Sequence, residues 1–95
     1  MPSEQDGILI RNDVLSYSVG KEGFVRNFDE LPKVISDLRP LYMQIDGEGV
    51  LVVFRNVFVE DYGYYYVKDG VELSDENLIF KSKISDGVYK YFNPG

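Results

Sequence analysis

The fold of this chain is decided by residues 50–68, which read VLVVFRNVFVEDYGYYYVK. The half Val50–Val59 is mostly β-branched or aromatic at both odd and even positions, which is typical of a strand covered on both faces. The half Tyr62–Lys68 holds four tyrosines in five residues and favours a second strand. We expect the two strands to be joined by a tight connection at Glu60-Asp61.

Further strands are predicted on both sides of this stretch from alternating apolar residues bounded by turn signals. Asp69-Gly70 and Asp86-Gly87 are strong hairpin signals. Ser74–Asn77 is expected to form a turn, or a single helical turn capped by Ser74. The strands expected after residue 40 are Leu41–Ile45, Val50–Val59, Tyr62–Lys68, Val71–Leu73, Leu78–Ile84 and Val88–Phe92.

The N-terminal segment is expected to form a hairpin. Its strands are Ile8–Arg11 and Val14–Val19, with Asn12-Asp13 as a two-residue turn. The residues that this register places on one face are Ile8, Ile10, Leu15 and Tyr17. One long bulged strand is the alternative interpretation.

A helix is predicted over Phe28–Arg39. Its apolar residues fall at i, i+3, i+4 and i+7 and form one stripe, namely Leu31, Val34, Ile35 and Leu38. Pro32 is tolerated only in the first helical turn, and Pro40 ends the helix at Arg39. A helix of about 11 residues is too short to be stable alone, so we expect its stripe to pack on the sheet.

With five of the six segments after residue 40 counted as strands of the sheet, these elements predict an α+β domain with the order ββ-α-βββββ. A single helix packs on a curled, mainly antiparallel sheet of five to seven strands, and sequential hairpin connections favour a meander. The 95 residues are expected to form one domain, with loose tails at residues 1–6 and 93–95. No motif in the chain identifies a family.

The composition limits the chemistry available to the chain. It contains neither cysteine nor histidine, so thiol chemistry and the commonest general base and metal ligand are missing. The start resembles no secretory signal, and the longest apolar run has five residues. We therefore expect a soluble cytoplasmic protein that does not enter membranes, with no enzymatic activity, cofactor or metal.

The net charge of −6 is unevenly distributed along the chain. Residues 60–76 carry a net −5, because one lysine stands against six acids: Glu60, Asp61, Asp69, Glu72, Asp75 and Glu76. These carboxylates, like Asp46 and Glu48 in the turn before Val50, lack the spacing of a metal-binding loop, and we interpret those in turns as solvated turn formers. The dispersed lysines and arginines form no stripe along a phosphate backbone, so nucleic-acid binding is not expected.

The tyrosines of the second half are the candidate binding residues. The predicted partner-binding surface consists of Tyr62, Tyr64, Tyr65, Tyr66, Glu60 and Asp61. Alternate residues of a strand share a face, so at least one of the four tyrosines points away from the core. Tyrosine supplies a large amphipathic contact area and is enriched at interfaces. The alternative is that these tyrosines pack across strands against the aromatic residues of the C-terminal hairpin.

The predicted function is that of a small non-enzymatic binding protein. It uses this acidic, tyrosine-rich surface for self-association or for a basic protein partner. A homodimer is favoured because Val50–Val59 is apolar on both faces, while the single predicted helix covers only one. The alternative function is a small-molecule-binding domain with an aromatic-lined pocket between helix and sheet.

Overall fold

A computed structural model describes the backbone of residues 4–95 and the side chains from residue 9 onward. Over this range the chain forms three helices and six strands. The helices are α1 (Glu4–Ser18), α2 (Lys33–Asp37) and α3 (Asp75–Leu78). The strands are β1 (Gly23–Val25), β2 (Tyr42–Ile45), β3 (Gly49–Val57), β4 (Glu60–Val67), β5 (Lys81–Ser85) and β6 (Val88–Asn93).

The six strands form one antiparallel sheet in the order β1-β2-β3-β4-β6-β5. This confirms the predicted α+β class and the antiparallel sheet of five to seven strands, while the order of elements matches only roughly. The meander holds from β1 to β4, but β6 rather than β5 pairs with β4. The connection from β4 to β5 is too long for a hairpin. It leads β5 to the edge of the sheet, and β6 returns to pair with β4. Strand β1 was not predicted.

Both faces of the sheet are buried, as the composition of the central strand predicts. Val50 and Val52 of β3 lie in a cluster on one face, together with residues of α1 and α2. Leu51 and Val53 lie in a second cluster on the opposite face. We call the first the helix face. We call the second the strap face, because residues 69–80, the strap, lay Val71 and Leu73 against its cluster.

Helix α1 occupies the segment for which a hairpin, or alternatively one bulged strand, was expected, and both interpretations are wrong. Ile10, Val14 and Ser18 are buried at helical spacing, while Asn12 is exposed. The apolar residues of this segment fit the spacing of a helix as well as the alternation of a strand. The segment forms a helix because a helix covers the apolar helix face of the sheet. Burying a side chain such as Ile10 contributes about 1.5–3 kcal/mol, which outweighs a β-propensity difference of about 1 kcal/mol.

The side chain of Arg11 ties α1 to two turns at the edge of the sheet. Its guanidinium donates to the Asp69 carboxylate at 2.7 Å and to the Asp86 carbonyl at 2.9 Å. Gly87 lies against the guanidinium, where a Cβ would meet Arg11 Nη2 at 2.4 Å. As for the predicted tails, α1 begins at Glu4, within residues 1–6, and residues 1–3 lie outside the described part of the chain.

Helix α2 is shorter than the predicted helix over Phe28–Arg39. It begins after Pro32 because a residue that precedes proline is sterically excluded from helical backbone angles, which removes Leu31 from the helix. Only part of the predicted stripe is buried: Leu31 and Ile35 are in the core, whereas Val34 and Leu38 are exposed. The backbone leaves the helical conformation at Arg39, whose φ is 53°, one residue before Pro40.

The turn between β3 and β4 lies two residues earlier than predicted. Phe58-Val59 form the turn, and Glu60-Asp61 are the first paired residues of β4. Phe58 has a φ of 57°, and Val59 is not among the residues with positive φ. This is the pattern of a type II′ turn, in which glycine normally takes the first position. The turn signal was therefore missed because neither residue is a usual turn former.

The C-terminal third follows the prediction in its turns and departs from it in its strands. Ser74 caps α3 by accepting a hydrogen bond from the Asn77 amide, and Asp86-Gly87 form the last hairpin turn. Val71–Leu73 is not a strand but part of the strap. The predicted strand Leu78–Ile84 is reduced to β5, and its alternating apolar residues are exposed rather than buried. Ile84 lies on β5, the edge strand of the sheet, whereas Leu78 and Phe80 precede that strand and belong to the strap.

Candidate functional site

The predicted binding residues of β4 are divided between the two faces of the sheet. Tyr66 pairs with Val50 and belongs to the cluster of the helix face. Its alternate neighbours Tyr64 and Tyr62 point to the same face but lie outside that cluster. Tyr65 belongs to the cluster of the strap face. The division by parity agrees with the sequence analysis, but the degree of burial differs between residues of the same face.

Tyr65 and Tyr66 lie at the closed end of β4, where both faces are covered. Their side chains are 1% and 3% exposed, so neither offers contact area to a partner. Burial raises the pKa of both phenols far above the ordinary value of 10.0. For Tyr65 the hydrogen bond to Asp46 adds to this effect, because an ionised phenol would face a carboxylate.

Asp46 organises the turn between β2 and β3 and receives the Tyr65 hydroxyl. Its Oδ1 accepts hydrogen bonds from Tyr65 Oη at 2.7 Å, from the Glu48 amide at 2.7 Å and from the Gly49 amide at 2.9 Å. Burial alone would raise the pKa of this carboxyl, but these hydrogen bonds together outweigh burial and lower it. Asp46 is therefore a half-buried, hydrogen-bonded turn residue and not the solvated turn former predicted from the sequence.

Glu48 fastens the strap to the same turn. Its carboxylate accepts from the Ser74 amide at 3.1 Å and from Asn77 Nδ2 at 2.8 Å. Asn77 Nδ2 also lies 3.2 Å from Tyr65 Oη. The Asn77 side chain, followed by the Ser74 amide, lowers the pKa of Glu48 by favouring its charged form. The strap face is thus closed by the chain itself, and polar contacts hold the cover in place.

Lys81 completes this polar cluster above the Tyr65 ring. Its Nζ lies 4.2 Å from the ring centroid and donates to Asn77 Oδ1 at 3.0 Å. Desolvation lowers the pKa of the ammonium group, and the nearby Asp46 and Glu48 partly oppose this shift. The polar groups of this cluster bind one another and hold the strap, which is typical of a structural contact and not of a reaction centre. We call the cluster the latch, and it consists of Asp46, Glu48, Asn77 and Lys81. In the part of the chain that the structure describes, no three acidic side chains are grouped to hold a metal ion.

The other end of β4 carries aromatic side chains that remain accessible on the helix face. We call this surface the open patch, and it consists of Phe54, Tyr62, Tyr64 and Phe92. The Phe54 and Tyr64 rings meet edge to face at 6.0 Å, and the Tyr62 and Phe92 rings are 5.0 Å apart. Tyr64 and Phe92 are 36% and 38% exposed. The rings support one another while part of each faces solvent.

The two predicted acidic residues beside the tyrosines are engaged within the hairpin. Glu60 accepts from Tyr62 Oη at 2.9 Å, and this hydrogen bond is the main reason that the pKa of Tyr62 is raised. Asp61 accepts from Asn56 Nδ2 at 2.7 Å. The rest of the acidic excess lies elsewhere, since Glu72, Asp75 and Glu76 are exposed on the strap.

The acidic excess and the accessible tyrosines are therefore on different parts of the molecule. The strap packs on the strap face, whereas Tyr62 and Tyr64 belong to the helix face. The cations nearest to the open patch are Arg55, which lies 5.8 Å from the Tyr62 ring centroid, and Lys90, which pairs with Tyr64. Neither of them forms a salt bridge within the described residues.

Sequence reasoning missed three aromatic residues at this end that are not fully buried, of which Phe54 is half-buried and Phe58 and Phe92 are exposed. Phe54 and Phe58 were expected inside the central strand, and Phe92 at the end of the last one. A register shift between Val53 and Arg55 explains the first, because a bulge changes which side chains share a face. Phe58 lies at the hairpin turn and is 94% exposed. Nothing in the sequence indicates that Phe58 is exposed, because the residues around it are the β-branched and aromatic types expected inside a strand.

A groove opens on the strap face at the closed end of the sheet. It has a volume of about 340 Å³ and lies between the strap and the last hairpin. Its apolar lining consists of Val67, Val71, Leu73, Leu78 and Tyr89. Glu72 and Lys83 also line it and supply one charge of each sign.

Similarity to known proteins gives no further guide to the site. No described helix is long and apolar enough to cross a membrane. No protein-family model matches the chain, and no curated protein or solved structure is significantly similar to it.

Proposed function

We propose that this chain is a small non-enzymatic binding protein that contacts a protein partner through the open patch. The observation that carries the proposal is the partial exposure of Tyr62 and Tyr64 on the helix face of the sheet, while the buried cluster of the same face is covered by α1 and α2. Aromatic side chains held in place by neighbouring rings supply contact area at little entropic cost.

A basic protein is the partner class that the net charge of the whole chain favours, and Glu60 is the carboxylate that contacts the patch, through Tyr62. The net charge of −6 attracts a positively charged partner over long range. The tyrosine rings of the chain also accept cations. Lys21 lies 3.7 Å from the ring centroid of Tyr17, and Arg55 lies 5.8 Å from that of Tyr62. An arginine of a partner can stack on the free face of Tyr64 in the same way.

The test is capture of partners by the immobilised protein and its variants. We expect Tyr62→Ser and Tyr64→Ser to reduce capture of basic proteins by about tenfold or more, since interface tyrosines are frequent hot spots. Capture by the wild type should also fall as salt is raised, because charge attraction is screened.

Phe24→Ser is the matched control for the capture experiment. Phe24 is an exposed aromatic residue of β1 that stacks on Tyr42, on the opposite face from the open patch. Its substitution should leave capture unchanged. Equal capture by the wild type and both tyrosine variants, with all proteins folded by circular dichroism, would contradict the proposal.

A second candidate function is small-molecule binding, and the groove on the strap face is the observation that favours it. Its volume of about 340 Å³ is in the range of small-ligand sites, and its lining combines apolar side chains with the charges of Glu72 and Lys83. It lies between the strap and the last hairpin and not under α1. A thermal-shift screen should find a stabilising compound whose effect is abolished by Leu78→Glu. A screen without any such compound would count against this function.

A further inference from the structure

The turn at Phe58-Val59 presents an apolar knob that the described residues leave largely exposed, with only Gly95 lying against Val59. Phe58 is 94% exposed and Val59 is 70% exposed. Phe58 also holds a φ of 57°, a conformation that costs a bulky residue free energy and that glycine would adopt without strain. Hydrogen bonds from Asn56 to Asp61 and from Tyr62 to Glu60 brace the hairpin just behind the knob.

The groove on the strap face is a hole of matching size. A cavity of roughly 150 Å³ holds a benzene ring, so the groove of about 340 Å³ has room for the Phe58 ring and part of Val59. The knob and the hole lie at opposite ends of the β3–β4 hairpin, because the groove begins at Val67, the last residue of β4. At about 3.3 Å per residue they are roughly 25–30 Å apart. Phe58 therefore cannot reach the groove of its own chain.

The charges beside the knob and the hole are complementary. Arg55 and Glu60 flank the knob, three residues before and two residues after Phe58. Lys83 and Glu72 flank the groove, and Lys83 is held only by an exposed pair with Asp86 at 3.3 Å. A second chain that brings its knob to the groove can thus place Glu60 near Lys83 and Arg55 near Glu72.

We propose that the chain forms a closed two-fold dimer in which Phe58 of each copy inserts into the groove of the other. A two-fold axis perpendicular to β4 and midway along it makes the two contacts equivalent. The dimer shares the binding role proposed above but uses a different surface. Its failure is therefore distinguishable from failure of the open patch.

The first test is molar mass by light scattering coupled to gel filtration, over a dilution series. We expect the wild type and Tyr64→Ser to be dimers, and Phe58→Gly and Leu78→Glu to be monomers. Self-association of the two monomeric variants should be weakened by roughly a thousandfold, since each loses two anchor contacts. Phe58→Gly keeps the fold, because glycine suits a positive φ. If Leu78→Glu proves unfolded, the charge reversal Lys83→Glu replaces it.

The decisive test is a mixture of the two monomeric variants. Phe58→Gly keeps the hole and Leu78→Glu keeps the knob, so a mixed pair retains one intact contact. With a mass tag on one variant, we expect a heterodimer where each variant alone is a monomer. A monomeric wild type, a Phe58→Gly variant that dimerises like the wild type, masses beyond two copies, or no association in the mixture would each overturn the proposal.

Discussion

The two ends of β4 both carry tyrosines, but the tyrosines at one end are buried and those at the other end are partly exposed. At the closed end, Tyr65 and Tyr66 are almost completely buried and bound into the cores of the two faces. At the open end, Tyr62 and Tyr64 lie on one of the same faces but keep part of their rings in solvent. The difference shows that exposure in this sheet is set by what covers each end and not by residue type or parity.

The covering elements are too small to seal the whole sheet. A helix is about 10 Å wide, whereas six strands at about 4.8 Å spacing span roughly 25 Å. Helix α1 is the only long helix of the described chain, and α2 and α3 have five and four residues. The strap adds cover on the other face only where the polar latch holds it. The open end of β4 is the part of the sheet that these elements do not cover.

The sharpest test of this comparison replaces one tyrosine at each end. Tyr65→Ala should lower the free energy of unfolding by about 3–5 kcal/mol, because it leaves a large cavity and removes one of the hydrogen bonds to Asp46. Tyr64→Ala should cost about 1 kcal/mol, since its ring is already partly in water. Urea unfolding followed by circular dichroism measures both. Equal losses would mean that the two ends are equally packed.

Glycine substitutions test how tightly the two central strands are held between these ends. A Cβ on Gly63 would lie 2.1 Å from the Val52 carbonyl oxygen, so Gly63→Ala forces the backbone of β3 to shift. We expect a loss of about 1–3 kcal/mol. Gly47→Ala is the control, because nothing lies within 4 Å of its Cβ position and its φ is not positive. The control should change thermal stability by less than about 1 kcal/mol.

Removing the latch should make the closed end resemble the open one. Asn77→Ala deletes the donor to Glu48 and the acceptor of Lys81, and we expect a loss of about 1–2 kcal/mol. Hydrogen exchange should then accelerate at the strap amides and not in β1. An exposed residue of α1, changed by Asn12→Ala, serves as the control and should leave strap exchange unaltered.

Acid should act on the closed end through the two latch carboxylates. The pKa values of Asp46 and Glu48 are lowered on folding from their ordinary values of 3.8 and 4.5. Each therefore contributes stability above its unfolded pKa and loses it as pH falls through the folded pKa. Unfolding free energy should decline as pH is lowered through about 4.5 and below, and less steeply in Asn77→Ala. A parallel decline in both proteins would contradict this assignment.

The smallest expected effect has the opposite sign and belongs to the open end. Phe58→Gly should stabilise the fold by up to about 1 kcal/mol, because glycine adopts the positive φ of the first turn position without steric cost. Thermal unfolding at high dilution measures this without the contribution of self-association. A loss of stability would show that the Phe58 ring is packed within its own chain.

Local signals predicted those parts of the fold that neighbouring residues control. The central strand, the strand Leu41–Ile45, the Ser74 cap and the Asp86-Gly87 turn follow from residue type and spacing, and the structure has them. The N-terminal helix does not follow, because Ile10, Val14 and Leu15 fit a helix and a hairpin equally well. The choice between them depends on an apolar sheet face that only the rest of the chain provides.

In the candidate site, too, local patterns predicted some features, while packing between distant segments decided the others. Alternation along β4 was sufficient to separate Tyr65 from Tyr62, Tyr64 and Tyr66. It was not sufficient to show that Tyr66 is buried and Tyr64 is not, nor that the acidic strap lies away from both accessible tyrosines. Phe58 was outside the reach of any pattern, since its exposure depends on a turn that lacks turn residues.

Signals between near neighbours establish an α+β domain with a sheet apolar on both faces, because β-propensity, alternation and turn chemistry act over short stretches of chain. Which end of β4 is covered, and where the acidic excess lies, follow only from the packing of distant segments. Burial is a non-local quantity. It depends on where α1 and the strap come to rest, and they cover only part of the surface that the strands offer.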